Sequence, residues 1–207
     1  MMLPSLTSFY DDAAIVADKE DDAIAAAGSK RRSEHDVAVQ ARDELARHLL
    51  PEYQVHQGKN ILYRIEVDSS GKVSHDGLHA PRRGLCVPDR HPRTEAAIPL
   101  VAVELKSGSF STHDVITYSW KAECHKQVYP YQRYGFAVVG LEILGRRFVT
   151  HNEGFDFAVA LPDLAGIETH LVAIVRRRIA SAERIIELMR SRRVIFRRYE
   201  QNIEIER

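Results

Sequence analysis

The chain has little cysteine, and its opposite charges cancel. Of 207 residues only Cys86 and Cys124 are cysteines, and neither lies in a C-x-x-C pair. Two cysteines are too few for a disulfide framework, so we expect a reduced, cytoplasmic protein. Lys plus Arg equals Asp plus Glu at 29 each, so the net charge points to no class of partner.

Several other sequence features are missing. The N-terminal sequence lacks the basic start and sustained apolar run of a signal peptide. No stretch approaches the about 18 uncharged apolar residues that indicate a membrane span. Neither G-x-x-x-x-G-K-[ST] nor G-x-G-x-x-G occurs. We therefore expect no membrane partner and no nucleotide cofactor.

What is present predicts an α/β domain. Apolar spacing predicts helices over 10–28, 33–50, 112–134 and 165–199, and apolar runs predict strands over 61–68, 98–107, 134–144 and 155–161. Between them, 72–97 predicts a ragged hairpin leading into the 98–107 strand. This order indicates a mixed central sheet flanked by helices, with a long C-terminal helix. The expected division is an N-terminal helical segment (1–32), a core (33–164) and a C-terminal helical segment (165–207).

The stretch IPLVAVELKSG carries the most informative pattern. On a β-strand its side chains alternate, so Val101, Val103 and Leu105 form one apolar face. Glu104 and Lys106 share the other face. Burying such a pair costs several kcal/mol unless a metal, a partner charge or a substrate compensates it. The pattern therefore favours a functional site on this strand.

A Pro-Asp pair ending at Asp89 lies upstream of Glu104-Leu-Lys106. This combination resembles the PD-(D/E)xK nuclease superfamily, which includes most type II restriction endonucleases, and the resemblance covers roughly 33–160. It implies a restriction-endonuclease-like fold in which 33–164 is the nuclease core. It also implies that Asp89 and Glu104 bind a metal ion and that Lys106 is catalytic.

Two further features fit the resemblance. Many members carry an extra metal-binding glutamate in the helix before the sheet, and Glu34 opens that helix here. Gln127 and Tyr131, predicted on the helix after the ELK strand, match the Q-x-x-x-Y pattern of a subgroup similar to bacterial recombination nucleases. Each also has a plainer interpretation, since Glu34 suits a helix N-terminus and the other two suit a helix surface.

The chemistry of these residues is consistent with that implied role. Carboxylate oxygens such as those of Asp89 and Glu104 suit Mg²⁺, for which Mn²⁺ can substitute. A bound Mg²⁺ lowers the pKa of a water and stabilises charge that grows on a phosphate. Lys106, on the same face as Glu104, can donate a hydrogen bond to that water or to a phosphate oxygen.

The identity of the metal-binding aspartate stays open. The residues after Asp89 are polar, whereas members of the superfamily usually continue into an apolar strand there. Asp76, which precedes a short apolar piece, is the alternative metal ligand.

A cluster of arginines flanks the predicted site, at Arg82, Arg83, Arg90 and Arg93. Arginines bind backbone phosphates and can read guanine in the major groove. Any one of them is equally well a solvated loop residue, but the cluster as a whole indicates DNA binding.

The sequence thus predicts a Mg²⁺-dependent DNA endonuclease, and the resemblance implies products with 5′-phosphates. A small chain without a helicase or a separate recognition domain resembles a type II restriction enzyme. Such an enzyme acts as a homodimer, because cutting both strands of a symmetric site needs two active centres. The alternatives are a repair or recombination nuclease, and a catalytically inactive nucleic-acid-binding module of the same fold.

Overall fold

A computed structural model of the chain describes residues 34–51, 53–59, 61–79, 84–88, 98–191 and 205. Within these ranges the side chains of 62–64, 66 and 73–79 are not described. The helix predicted over 10–28, the predicted ligand Asp89 and the four arginines of the predicted DNA-binding cluster all lie outside the described residues.

Helices and strands alternate through the described residues. The helices are α1 (Glu34–His48), α2 (Thr112–Val128), α3 (Gly145–His151) and α4 (Ala173–Arg190), the last preceded by a π-helical turn (Ile167–Val172). The strands are β1 (His56–Gln57), β2 (Ile61–Val67), β3 (Val73–His79), β4 (Leu85–Pro88), β5 (Pro99–Ser107), β6 (Arg133–Val139) and β7 (Phe157–Leu161). None of these helices combines the length and the apolar character needed to cross a membrane.

Five strands form one mixed sheet in the order β1-β4-β5-β6-β7. β4 runs antiparallel to β1 and β5, whereas β5, β6 and β7 are parallel. The α/β class, the mixed sheet and the long C-terminal helix are therefore confirmed. The hairpin predicted over 72–97 is only partly right. β4 does lead into β5, but β3 pairs with β2 in a separate two-stranded sheet.

The sheet carries a hydrophobic core on each face. Val101, Val103 and Leu105 of β5 lie in the core that α1 and α4 cover, and Ala102 lies in the core that α2 and α3 cover. A strand buried on both faces has a nearly continuous apolar sequence, which is what 98–105 shows apart from Glu104. Polar side chains on β5 therefore need partners inside the protein.

Three predicted boundaries are wrong at their C-terminal ends. α2 ends at Val128 rather than near 134, because Pro130 has no N–H to continue the helix. β6 ends at Val139 rather than 144, because Gly140 adopts φ +87 and turns the chain. α4 ends at Arg190, where Ser191 is extended, and residues 192–199 of the predicted helix lie outside the described residues.

The loop before β7 is fastened to α2 and β6. Ser119 Oγ accepts the N–H of Gly154 and that of the residue before it, both at 2.6 Å. The carboxylate of Asp156 lies 3.2 Å from Lys126 Nζ and 3.2 Å from Arg133 Nη1, and it is almost fully buried. These contacts hold β7 beside β6 and fix the end of the sheet farthest from β4.

Gly154 provides a test of this close approach. A Cβ at this position would lie 2.2 Å from the backbone oxygen of Ser119 and 2.9 Å from the backbone nitrogen of Glu123. Overpacking typically costs about 1–3 kcal/mol. We therefore expect Gly154→Ala to lower the free energy of unfolding by about 2 kcal/mol, measured by urea denaturation.

Gly166→Ala is the matched control. Gly166 has helical dihedral angles, φ −68 and ψ −10, and a Cβ at this position would have Leu161 Cδ2 as its nearest neighbour, at 3.4 Å. We expect its unfolding free energy to stay within about 0.5 kcal/mol of that of the parent. A Gly154→Ala variant as stable as this control would contradict the close approach.

Candidate active site

Both charged residues of the ELK motif lie on the face of β5 that α2 covers. Glu104 is 4% exposed, and the side chain of Lys106 is 14% exposed. The predicted alternation is confirmed, since Val101, Val103 and Leu105 lie in the opposite core. Each of the two charges has a partner inside the protein.

Tyr134, on the neighbouring strand β6, holds the carboxylate of Glu104. Its hydroxyl donates to Glu104 Oε1 at 3.0 Å. Burial raises the pKa of Glu104, although the Tyr134 hydrogen bond and the charges of Lys121 and Lys106 act in the opposite direction. Burial, followed by the neighbouring Glu104 carboxylate, raises the pKa of Tyr134. The phenol therefore stays protonated and serves as a donor.

Lys106 connects three elements of the fold. Its Nζ lies 2.7 Å from Asp114 Oδ1 of α2 and 3.9 Å from Glu34 Oε1 of α1. The ammonium also lies 5.2 Å from the centre of the Tyr118 ring, within the range of a cation–π contact. The end of β5 is thus tied to helices on both sides of the sheet.

Asp114 also closes the N-terminus of α2. Its Oδ2 accepts hydrogen bonds from the Ser111 amide and hydroxyl, both at 2.8 Å, and Ser111 Oγ accepts the Asp114 N–H at 3.1 Å. This reciprocal arrangement is a capping box. Burial alone would raise the pKa of Asp114, but the hydrogen bonds from Lys106 and Ser111 outweigh it and lower the pKa. Asp114 is therefore an anion that faces Lys106.

A second lysine reaches the same aromatic ring. Lys121 Nζ lies 4.8 Å from the centre of the Tyr118 ring, and its charge favours the ionised form of Glu104. The Tyr118 ring is held in place because it packs against the core of this face. The described site thus consists of three carboxylates, two ammonium groups and one ring, namely Glu34, Glu104, Asp114, Lys106, Lys121 and Tyr118.

The structure brings some of the predicted site residues together and leaves others apart. Glu34, Glu104 and Lys106 lie at one place. Gln127 is exposed in the last turn of α2, about 20 Å along the helix axis from Asp114. Tyr131 follows the end of α2, so it does not share a helix with Gln127 as predicted. These two residues do not belong to the site around Lys106.

The predicted metal-binding aspartates stay predictions. Asp89 lies outside the described residues, and of Asp76 only the backbone, within β3, is described. Pro88, the residue before Asp89, pairs with Pro99, which is about 23 Å along β5 from Lys106. β2, the partner strand of β3, lies against α2, and Ile61 of β2 shares a core with Val115 of α2.

The sequence interpretation missed four residues of the site: Asp114, Tyr118, Lys121 and Tyr134. Asp114 had a local signal, because Ser111-Thr-His-Asp114 has capping-box spacing at the start of a helix. Helical spacing would place Tyr118 and Lys121 near Lys106 only if the start of α2 were already known to lie beside Lys106. Tyr134 had no local signal, since its contact with Glu104 depends on the register between the parallel strands β5 and β6.

The carboxylates are oxygen donors of the kind that Mg²⁺ prefers. No group of three or more His, Cys, Asp or Glu side chains in the described part of the chain is placed to hold a metal ion. Burial disfavours the ionised form of Glu104, and a divalent cation beside it would favour that form instead. The donor type therefore fits Mg²⁺, provided that an acid from outside the described residues or side chains completes the site.

Comparisons of the chain with models of protein families, with curated proteins and with solved structures gave no match.

Glu104→Gln tests the cost of burying this carboxylate. Burial raises the pKa of Glu104 in the folded state above its pKa in the unfolded chain. Below the unfolded-state pKa this difference stabilises the folded protein, and the stabilisation is lost as the pH rises through the folded-state pKa. The amide of the Glu104→Gln variant stays neutral at every pH, so it still accepts the hydrogen bond from Tyr134 and the stability of the variant does not fall as the pH rises. In EDTA we therefore expect the Tm of Glu104→Gln to exceed that of the parent, with a difference that grows from pH 5 to pH 8.

Thermal unfolding over this pH range is the measurement, and each kcal/mol recovered corresponds to roughly 2–4 °C for a chain of this size. Tyr134→Phe is the contrasting variant, because it leaves the carboxylate buried without its donor and should lower Tm. A Tm difference for Glu104→Gln that shrinks towards pH 8 would show that the buried carboxylate is not destabilising.

Proposed function

We propose that this protein is a Mg²⁺-dependent DNA endonuclease of the PD-(D/E)xK superfamily. The observation that carries the proposal is the convergence of Glu34, at the start of α1, on Lys106, at the end of the buried strand that holds Glu104. The superfamily resemblance requires these three residues to share a site, although β1 to β4 separate Glu34 from the other two in sequence. A chance Glu-x-Lys tripeptide carries no such requirement.

The architecture supports a restriction-endonuclease-like fold. The ELK motif lies on the middle strand of a mixed five-stranded sheet, with helices on both faces. This placement matters chemically, because a strand buried on both sides holds its side chains in fixed positions. Residues that must align with a phosphodiester bond gain from that rigidity.

Each side chain of the site has a role in this chemistry. Glu104 and an aspartate would hold Mg²⁺, with Glu34 completing the site, and the ion would supply an acidified water and neutralise charge on the phosphate. Tyr134 fixes the orientation of the Glu104 carboxylate through its hydrogen bond. Lys106 donates a hydrogen bond to the attacking water or to a phosphate oxygen. The products carry 5′-phosphates, as in the superfamily.

The register of β4 favours Asp76 over Asp89 as the aspartate. The chain leaves β4 at Pro88, which pairs with Pro99 at the end of β5 remote from Lys106. The strand that contains Asp76 pairs instead with β2, which lies against α2, the helix that carries Asp114. β2 lies on the face of the sheet that carries Glu104 and Lys106, because Ile61 shares a core with Ala102.

Within the class we favour a type II restriction enzyme that acts as a homodimer on DNA, since two centres are needed to cut both strands. A repair or recombination nuclease is the alternative, but the position of Tyr131 beyond α2 removes the feature that pointed to it.

A second candidate is an inactive DNA-binding module. The 2.7 Å ion pair between Lys106 and Asp114 favours it, because the lysine would have to leave this partner before it contacted substrate.

Plasmid cleavage decides among these functions. We expect the parent protein to cut plasmid DNA in Mg²⁺ but not in EDTA, and Lys106→Ala to reduce the rate by at least about 10²-fold, comparable with the loss of one transition-state donor. Lys72→Ala, which removes an exposed lysine from the hairpin turn, should cut at the parental rate. Discrete fragments would identify a restriction enzyme and ragged products a processing nuclease. No cutting at any Mg²⁺ or Mn²⁺ concentration would support the binding module.

The choice of aspartate has a test that does not need cleavage. Ca²⁺ uses oxygen ligands of the same kind, and binding to the folded state alone raises Tm. We expect Ca²⁺ to raise the Tm of the parent and of Asp89→Asn, and to have little effect on Asp76→Asn. The reverse result for the two variants would restore Asp89 as the ligand.

A further inference from the structure

The Tyr118 ring is contacted by two ammonium groups. Lys106 Nζ lies 5.2 Å and Lys121 Nζ 4.8 Å from its centre. The ring face attracts each cation, so both ammonium groups are held near one aromatic side chain.

The two lysines differ in their partners. Lys106 is paired with Asp114 at 2.7 Å. Lys121, half-exposed, forms no ion pair in the part of the chain that the structure describes. The other lysine of the same helix, Lys126, is paired with Asp156 at the far end of α2. Lys121 is thus the cation of α2 that is available to an external anion.

Lys121 is also held in position at the site. Tyr118 packs against the core, so the ring that its ammonium contacts is fixed relative to β5. The same ring is contacted by Lys106 of the ELK strand, so the Lys121 ammonium lies at the side of α2 where that strand ends. An ammonium held there lies beside any phosphate that Lys106 would contact.

We infer that Lys121 and Lys106, which both contact the Tyr118 ring, form a phosphate-binding subsite in which Lys121 holds a backbone phosphate of the nucleic-acid strand. The inference rests on the proposed nuclease function for its ligand class, and it adds a substrate-binding residue outside the superfamily motif. A lysine suits this role because its compact charge binds phosphate without reading sequence.

The salt dependence of DNA binding tests this inference directly. Each phosphate neutralised by a lysine contributes about −0.9 to the slope of log K against log salt concentration. We expect Lys121→Gln to make the slope shallower by about 0.9 and to weaken binding several-fold at low salt. Binding is measured with a short DNA duplex of mixed sequence in Ca²⁺, with Tm recorded to show that the variant is folded.

Two variants complete the design. Lys121→Arg keeps the charge and should keep the slope. Arg184→Gln removes an exposed cation from α4, on the other side of the sheet, and should leave slope and affinity unchanged. An unchanged slope for Lys121→Gln would overturn the inference. An equal change of slope for Arg184→Gln would overturn it too, because the slope would then depend on the total charge of the protein and not on Lys121.

The outcome is separable from that of the nuclease proposal. If the parent cuts DNA but Lys121→Gln binds with the parental slope, the nuclease stands and the subsite falls. If the parent binds without cutting and Lys121→Gln shows the shallower slope, the subsite stands in a binding module. If the parent does not bind the duplex, the subsite is wrong.

Discussion

The burial of β5 on both faces is the constraint on which the site depends. A strand covered by α1 and α4 on one side and by α2 on the other cannot leave charged side chains to water. Glu104 and Lys106 therefore take their partners from the protein, Tyr134 from β6 and Asp114 from α2. These two contacts place the neighbouring strand and helix against the same end of β5.

Under the proposed function, the charges of the site would suit a polyanionic substrate once a divalent cation joins them. When Glu104 is ionised, three carboxylates and two ammonium groups leave one net negative charge, which repels phosphate. One divalent ion reverses the sign of that sum. Under the proposed function, metal binding and nucleic-acid binding would then be coupled by electrostatics, with each favouring the other.

Sequence pattern predicted what depends on local chemistry. The face alternation of β5, the helix that begins at Glu34 and the strand-helix-strand order after 98 all follow from spacing. The ends of α2 and β6 were missed because a proline after one and a left-handed glycine after the other act at single residues. The pairing of β3 with β2 and the contact of Tyr134 with Glu104 depend on register, which a single sequence does not encode locally.

Asp114 divides its two oxygens between two tasks. Oδ2 closes the first turn of α2 together with Ser111, and Oδ1 binds the lysine of the ELK motif. If Lys106 exchanged Oδ1 for another anion, the hydrogen bonds between Asp114 and Ser111 would stay in place. Such an exchange would move one side chain and leave the first turn of α2 wound.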